Sequence, residues 1–196
     1  MIWARPELRV LFVCSANVCR SPLAEGILRH RLAAAGLGAR VQVRSAGSSA
    51  AQPGRRPDPR IARLAAQEGI SLAGIRARRL TPALIRRSDY VLVMENTHLE
   101  EVTRLYTGDC KRPFQDINSD VKKSDKLTNR HASKNLPPQI FLLGSFLHLH
   151  QDTVQDIPDP YFGNLSNLYA VYELIDSALI GFLAVLEARL GIFRDS

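Results

Sequence analysis

Apolar positions along the chain change period several times, and the changes mark out elements. Leu8 to Val13 is an almost unbroken apolar run of strand length, and from about Ser21 to Ala35 the pattern turns helical before Val41 to Arg44 reads as strand again. Further on come helical stretches near Pro59 to Glu68 and Pro82 to Arg87, a strand at Tyr90 to Met94, a helix from about Thr97 to Leu105 and a strand at Ile140 to Leu143. The clearest helix is the last, where Leu168, Val171, Tyr172, Ile175, Leu179, Phe182 and Leu186 fall on one face. Strands alternating with helices imply βαβ units, hence a parallel sheet with right-handed crossovers.

One segment breaks the alternation. Lys111 to Pro138 holds only six apolar residues (Phe114, Ile117, Val121, Leu127, Ala132 and Leu136), without a sustained period. Such a stretch buries too little surface to order itself and is expected to be a mobile insertion. The rest of a 196-residue, 45% apolar chain suits one globular domain with a full core, so the expected organisation is a single domain over residues 1–196.

Composition narrows the function classes. The longest uninterrupted apolar run, Ala178 to Leu186, is well short of the ~20 residues that span a bilayer, so no membrane span is expected. Met1-Ile-Trp-Ala-Arg runs into the first strand without the features of an export signal, which reads as cytoplasmic. Cys14, Cys19 and Cys110 are too few for a disulfide framework, and reduced thiols are expected. The net charge of +7 raises the possibility of nucleic acid. However, the segment Lys111 to Pro138 carries 7 basic and 3 acidic residues, so +4 of the excess falls on a polar loop, and no nucleic-acid-binding motif accompanies it.

The chemistry concentrates in "VLFVCSANVCRSPLAEG", Val10 to Gly26. The spacing of Cys14 and Arg20, C-x5-R, is weak evidence alone in an arginine-rich chain. Its setting is stronger, because an apolar strand ends at the cysteine and a short polar loop leads into a helix with Pro22 suited to its first position and Glu25 to its first turn. The backbone N–H groups of such a loop (Ser15, Ala16, Asn17, Val18, Cys19) converge on one concavity at a helix N-terminus, which binds a tetrahedral oxyanion. A cysteine at its mouth, beside Arg20, is held as thiolate. Arg20 can grip two phosphate oxygens, and together these are the parts of a phosphoryl-transfer site with a sulfur nucleophile. A small buried cysteine, a surface arginine and Ser21 as an ordinary N-cap would each be unremarkable alone, and much less so in combination. Zinc needs further ligands at spacing that the sequence does not supply, so no metal or cofactor is expected.

Expelling an alkoxide or phenoxide is eased by an acid on the leaving oxygen. "DIPDPYFG", Asp156 to Gly163, offers Asp159, with its backbone restricted by flanking prolines and with Asp156 as the alternative. Tyr161 and Phe162 follow as a candidate aromatic wall for a substrate ring.

"VCSANVCRSP", "RSAG" at Arg44 to Gly47 and "DPYFG" at Asp159 to Gly163 together resemble the low-molecular-weight protein tyrosine phosphatases over nearly the whole chain outside the insertion. The resemblance implies a three-layer α/β fold, a four-stranded parallel sheet with helices on both faces and the phosphate loop after the first strand. It implies a cofactor-free enzyme acting on tyrosine-phosphorylated protein, with Cys14 forming a phosphocysteine, Arg20 clamping the phosphate and Asp159 as general acid. Ser21 would hydrogen-bond the thiolate, Asn17 with Ser45 would hold the loop conformation, Tyr161 would stack on the substrate ring, and Cys19 would trap an oxidised Cys14 as a reversible disulfide. Ala16 stands where glycine is common and would be strained if the loop needs positive φ there. Ile75 replaces a histidine that supports Asn17 in other members, and Ala51 replaces an aromatic wall residue. Arsenate reductases and protein arginine phosphatases on the same fold, and a phosphate-binding module without turnover, are the alternatives. The first lacks a cysteine pair beyond Cys110, and the second commonly has threonine at Val18.

Overall fold

The computed structural model describes residues 5–50, 52–108, 136–147 and 155–192. Ala51, Cys110 and residues 111–135 of the expected insertion lie outside them, while 136–138 lead directly into a strand. The elements run β1 (Leu8–Cys14), α1 (Arg20–Ala34), β2 (Val41–Gly47), α2 (Pro59–Gln67), α3 (Pro82–Arg86), β3 (Tyr90–Val93), α4 (Asn96–Thr107), β4 (Gln139–Leu142) and α5 (Leu165–Arg189). A 3-10 turn, Leu143–Phe146, follows β4.

All pairings are parallel and the strand order is β2-β1-β3-β4. Side chains alternate across β1, so Val10, Phe12 and Cys14 enter a core with α1, α2 and α5, whereas Leu11 and Val13 enter a second core with Ile85 of α3 and Val102 of α4. Helices therefore cover both faces, which is why the strands read as continuous apolar runs. β1 leads out to β2 on one side and β3 to β4 on the other. The carboxyl ends of β1 and β3 thus flank a topological switch point, where ligands bind in open α/β sheets.

α5 has the length and composition of a membrane span. Its face of Leu168, Val171, Ile175, Leu179, Phe182 and Leu186 is buried in the first core, the arrangement of a long core helix.

Some local expectations shift. α1 starts at Arg20, so Pro22 is its third residue rather than its first, and the N-cap is Cys19, whose side chain makes no capping bond. Ser21 is consequently inside the helix, with its hydroxyl turned to the loop instead of capping. Glu25 lies beyond the first turn and is buried, serving the core-side network described below. β2 continues past Arg44 to Gly47 because Ser45, Ala46 and Gly47 stay in register with Phe12, Val13 and Cys14.

Candidate active site

Cys14 ends β1, buried, with Sγ 2.9 Å from Ser21 Oγ. The loop that follows is held from outside through its carbonyls: Ser48 N–H donates to Cys14 (2.9 Å), Ser49 N–H to Ser15 (2.9 Å) and Asp58 N–H to Val18 (2.8 Å). Among the described residues no acceptor takes the N–H of Ala16, Asn17, Val18 or Cys19. A loop with its carbonyls bonded outward and its N–H groups unclaimed, at the start of a helix, presents partial positive charge inward, which is a cradle for an oxyanion.

Asn17 makes this shape possible. It has φ 55°, the one non-glycine residue at positive φ among those described. The left-handed region is one that asparagine tolerates better than other side chains. Its amide is buried and makes three bonds: Nδ2 donates to Ser21 Oγ (2.9 Å) and Ser45 Oγ (2.8 Å), and Oδ1 accepts the Arg78 N–H (2.9 Å). Ala16 is spared the expected strain, because the positive φ falls one residue later. Ile75 is packed in the core, and the asparagine makes these three bonds without a histidine there.

Proton accounting gives the network a direction. Ser45 Oγ donates to Glu25 Oε2, and its lone pair takes the Asn17 hydrogen. Ser21 Oγ takes the other Asn17 hydrogen on one of its two lone pairs; toward a Cys14 thiolate, which can only accept, its own hydrogen is the one that points at Sγ. Burial pushes Glu25 above the ordinary carboxylate value, opposed by the Ser45 bond and by Arg29, which pairs with it one turn along α1. Gly47 completes the packing. A Cβ there would lie 2.6 Å from the Ser15 carbonyl oxygen and 2.9 Å from the Asn17 nitrogen, so only glycine lets β2 pass so close under the loop.

Arg20 is buried in the middle of the site. One terminal nitrogen contacts Glu95 and donates to the Ile157 carbonyl at 2.9 Å. The other donates to Asp159 Oδ2 at 2.7 Å and more distantly to Ser15 Oγ at 3.4 Å. The guanidinium thereby ties the loop to the end of β3 and to the Asp159 segment, which is itself pinned by the Ile157 N–H on the Met94 carbonyl (2.8 Å). Asp159 accepts the Tyr161 N–H (3.1 Å), and its side chain remains 44% exposed, open to solvent and to a substrate. Asp156 is turned elsewhere, bonding Asn96 at the start of α4 through backbone and side chain.

Tyr161 is half-buried, with the Arg60 guanidinium 5.8 Å from its ring centre, whereas Phe162 is 98% exposed and meets Tyr161 edge-on at 5.0 Å. Val18 is buried. Cys19, also buried, has its thiol pushed up to about 12 by burial and by Cys14, so it stays protonated.

Glu95 and His98 were not singled out by sequence reasoning. Glu95 follows β3 at the switch point, the one signal that pointed to it. His98 Nε2 lies 2.9 Å from Ser15 Oγ, and burial, with Arg20 nearby, holds the ring below its ordinary value and therefore neutral. Its Nδ1 faces Glu95 at 3.9 Å without a hydrogen bond.

Residues 9–128 match the sequence profile described as Low molecular weight phosphotyrosine protein phosphatase. A low molecular weight protein-tyrosine-phosphatase of Streptomyces coelicolor is 31% identical over 181 residues, 92% of this chain and 94% of the relative. Among solved structures, a Drosophila arginine phosphatase superposes with a TM-score of 0.71 at 27% identity, covering 91% of this chain and 97% of the other. The tyrosine phosphatase Wzb from Escherichia coli K30, in complex with sulphate, does so with 0.66 at 28% identity, covering 91% and 97%. With the loop, its arginine and the distant aspartate brought together on this sheet, the chain belongs to the low molecular weight phosphotyrosine protein phosphatase family.

Proposed function

We propose that the chain hydrolyses phosphotyrosine monoesters in proteins, in two steps through a phosphocysteine. The observation that carries the reading is the Arg20 guanidinium, which originates in the phosphate loop and meets Asp159, 139 residues away, at 2.7 Å. In the first step the Cys14 thiolate attacks phosphorus and the P–O bond to the tyrosine breaks. Asp159 gives its proton to the departing phenoxide, while the loop N–H groups and Arg20 take up the charge on the equatorial oxygens. In the second, Asp159 as carboxylate accepts a proton from water as the water oxygen attacks phosphorus, the S–P bond breaks and inorganic phosphate leaves. Ser21, directing its hydrogen at Sγ, favours the thiolate both as nucleophile and as leaving group. For phosphate to bind, Asp159 must release Arg20, which frees the carboxyl to protonate.

Cys19, close enough to Cys14 to feel its charge, is placed for a protective role once its thiol gives up the proton that burial holds on it. If Cys14 is oxidised to the sulfenic acid, Cys19 sulfur displaces its oxygen as water and closes a disulfide. The few cysteines suit a reducing, cytoplasmic setting.

The test is steady-state hydrolysis of a phosphotyrosine peptide and a phosphoarginine peptide side by side, in chelator, with Cys14→Ser as control. Cys14-dependent turnover favouring phosphotyrosine is expected. Preference for phosphoarginine would move the chain to the activity that the Drosophila neighbour's name records, and phosphate binding without turnover would make it a recognition module. Asp159→Ala is expected to slow aryl phosphates with poor leaving groups more than those with good ones, and equal slowing would mean another acid.

A further inference from the structure

The catalytic loop handles one phosphate, yet the positive charge at its mouth extends well beyond it. Residues 52–79 contain seven arginines against Asp58 and Glu68, a local balance of +5. They lie on two segments stitched together by Gly54 N–H to the Ala77 carbonyl (2.7 Å) and Ala77 N–H to the Arg55 carbonyl (2.8 Å). Both segments are bonded to the phosphate loop, one through Asp58 N–H on Val18 and the other through Arg78 N–H on Asn17. Arg60 then reaches across to the Tyr161 carbonyl at 2.7 Å, closing the rim toward the Asp159 segment.

The rim is not neutralised from within. Asp58 is buried and already bonded by the Arg60 guanidinium and N–H. Glu68 lies just past the C-terminal end of α2, whereas Arg60 is at its start. Arg55, Arg56 and Arg79 are exposed and form no ion pair among the described residues, in contrast to Arg31 with Asp176 and Arg40 with Glu7 on other faces. Exposed like charges gathered on two segments bonded to each other repel and persist only at some cost to stability, which an anionic partner would relieve. Tyr161 and Phe162 adjoin this rim, with the Arg60 guanidinium 5.8 Å from the Tyr161 ring centre, so basic and aromatic side chains meet at the mouth.

We propose, resting on the reading as a phosphotyrosine hydrolase, that the Arg55, Arg56 and Arg79 rim binds the residues flanking the scissile phosphotyrosine, and selects substrate segments that carry further negative charge beside it. Acidic side chains and a second phosphate share that chemistry.

The experiment compares kcat/KM for three phosphotyrosine peptides of one length, with neutral flanks, Asp/Glu flanks or a second phosphotyrosine, on the wild type and on R55Q/R56Q/R79Q. Para-nitrophenyl phosphate, which has no flank, is the reference for each enzyme. At low salt the wild type is expected to favour at least one anionic peptide about tenfold over the neutral one, since three exposed pairs each contribute a factor of about two. That preference should fall to about twofold at roughly 0.3 M salt, where surface charges are screened, and should vanish in the triple variant. Whichever anionic peptide leads identifies the flank chemistry. Equal kcat/KM for all three peptides on the wild type, or a preference that survives the triple substitution, overturns the proposal. Should para-nitrophenyl phosphate itself not turn over, the hydrolase reading fails separately, and fluorescence anisotropy of the same peptides on Cys14→Ser protein still decides whether the rim selects them. A single-stranded oligonucleotide that displaces the anionic peptide at lower concentration than the neutral peptide does would assign the rim to nucleic acid and refute it.

Discussion

Replacing Asn17 tests the loop at its most demanding residue. Asn17→Ala removes two buried hydrogen bonds, to Ser21 and Ser45, and a part-buried one from the Arg78 N–H, at about 1 kcal/mol each, or about 3 in all. Alanine at φ 55° adds about 1–2 kcal/mol of left-handed strain, giving an expected loss of about 4–5. Asn17→Gly loses the same bonds without the strain but frees the unfolded chain, so its loss should be about 1 kcal/mol smaller than the alanine variant's. Asn17→Asp separates shape from proton direction. The carboxylate tolerates the conformation and accepts from Arg78, but it offers no hydrogens, so Ser21 and Ser45 must turn theirs toward it. Ser21 then withdraws its hydrogen from Cys14. Urea unfolding of the three variants should rank alanine least stable, then glycine, then aspartate, whereas alkylation of Cys14 by iodoacetate, followed on its own peptide by mass, should be slowed in the aspartate variant, where Ser21 turns its hydrogen away. Alanine and glycine variants of equal stability would refute the strain argument, and an aspartate variant with wild-type alkylation would refute the assigned direction of the network.

Glu95→Gln removes a charged partner of the buried Arg20, and a loss of about 1–2 kcal/mol with a roughly tenfold fall in kcat/KM is expected; unchanged kcat/KM would show that Arg20 needs no such anchor. Glu25, raised above its ordinary value of 4.5, keeps its proton longer in the folded than in the unfolded state, so the folded protein loses stability as pH rises from there through the raised value. In Glu25→Gln that stretch of slope should be absent from urea midpoints, and a pH-independent difference from wild type would refute it. His98, lowered from 6.5 by burial and Arg20, has the opposite sign. The unfolded state takes up the proton first, so stability falls as pH drops below 6.5 toward the lowered value, and His98→Gln should flatten that limb.

The order of elements was legible because apolar runs and helical periods leave their marks locally. The loop after β1 was legible for the same reason, since Cys14, Asn17, Arg20 and Ser21 all lie within eight residues of one another. What sequence reasoning missed is brought in from other strands. Glu95 reaches Arg20 only because β3 is hydrogen-bonded beside β1, and Glu25 reaches Ser45 only because α1 packs over β2. Even Pro22 and Glu25, assigned to the helix start by their usual preferences, were displaced by this tertiary demand. The helix begins two residues before the proline, and the glutamate supports the loop from inside the core. Charge was legible only in part for a related reason. Counting along the chain located part of the excess in the polar segment, whereas residues 52–79 carry more of it on two segments that only the fold joins at the mouth of the site. A short motif can thus name the reaction, while the groups that set its direction and its substrate are collected by the sheet from distant parts of the chain.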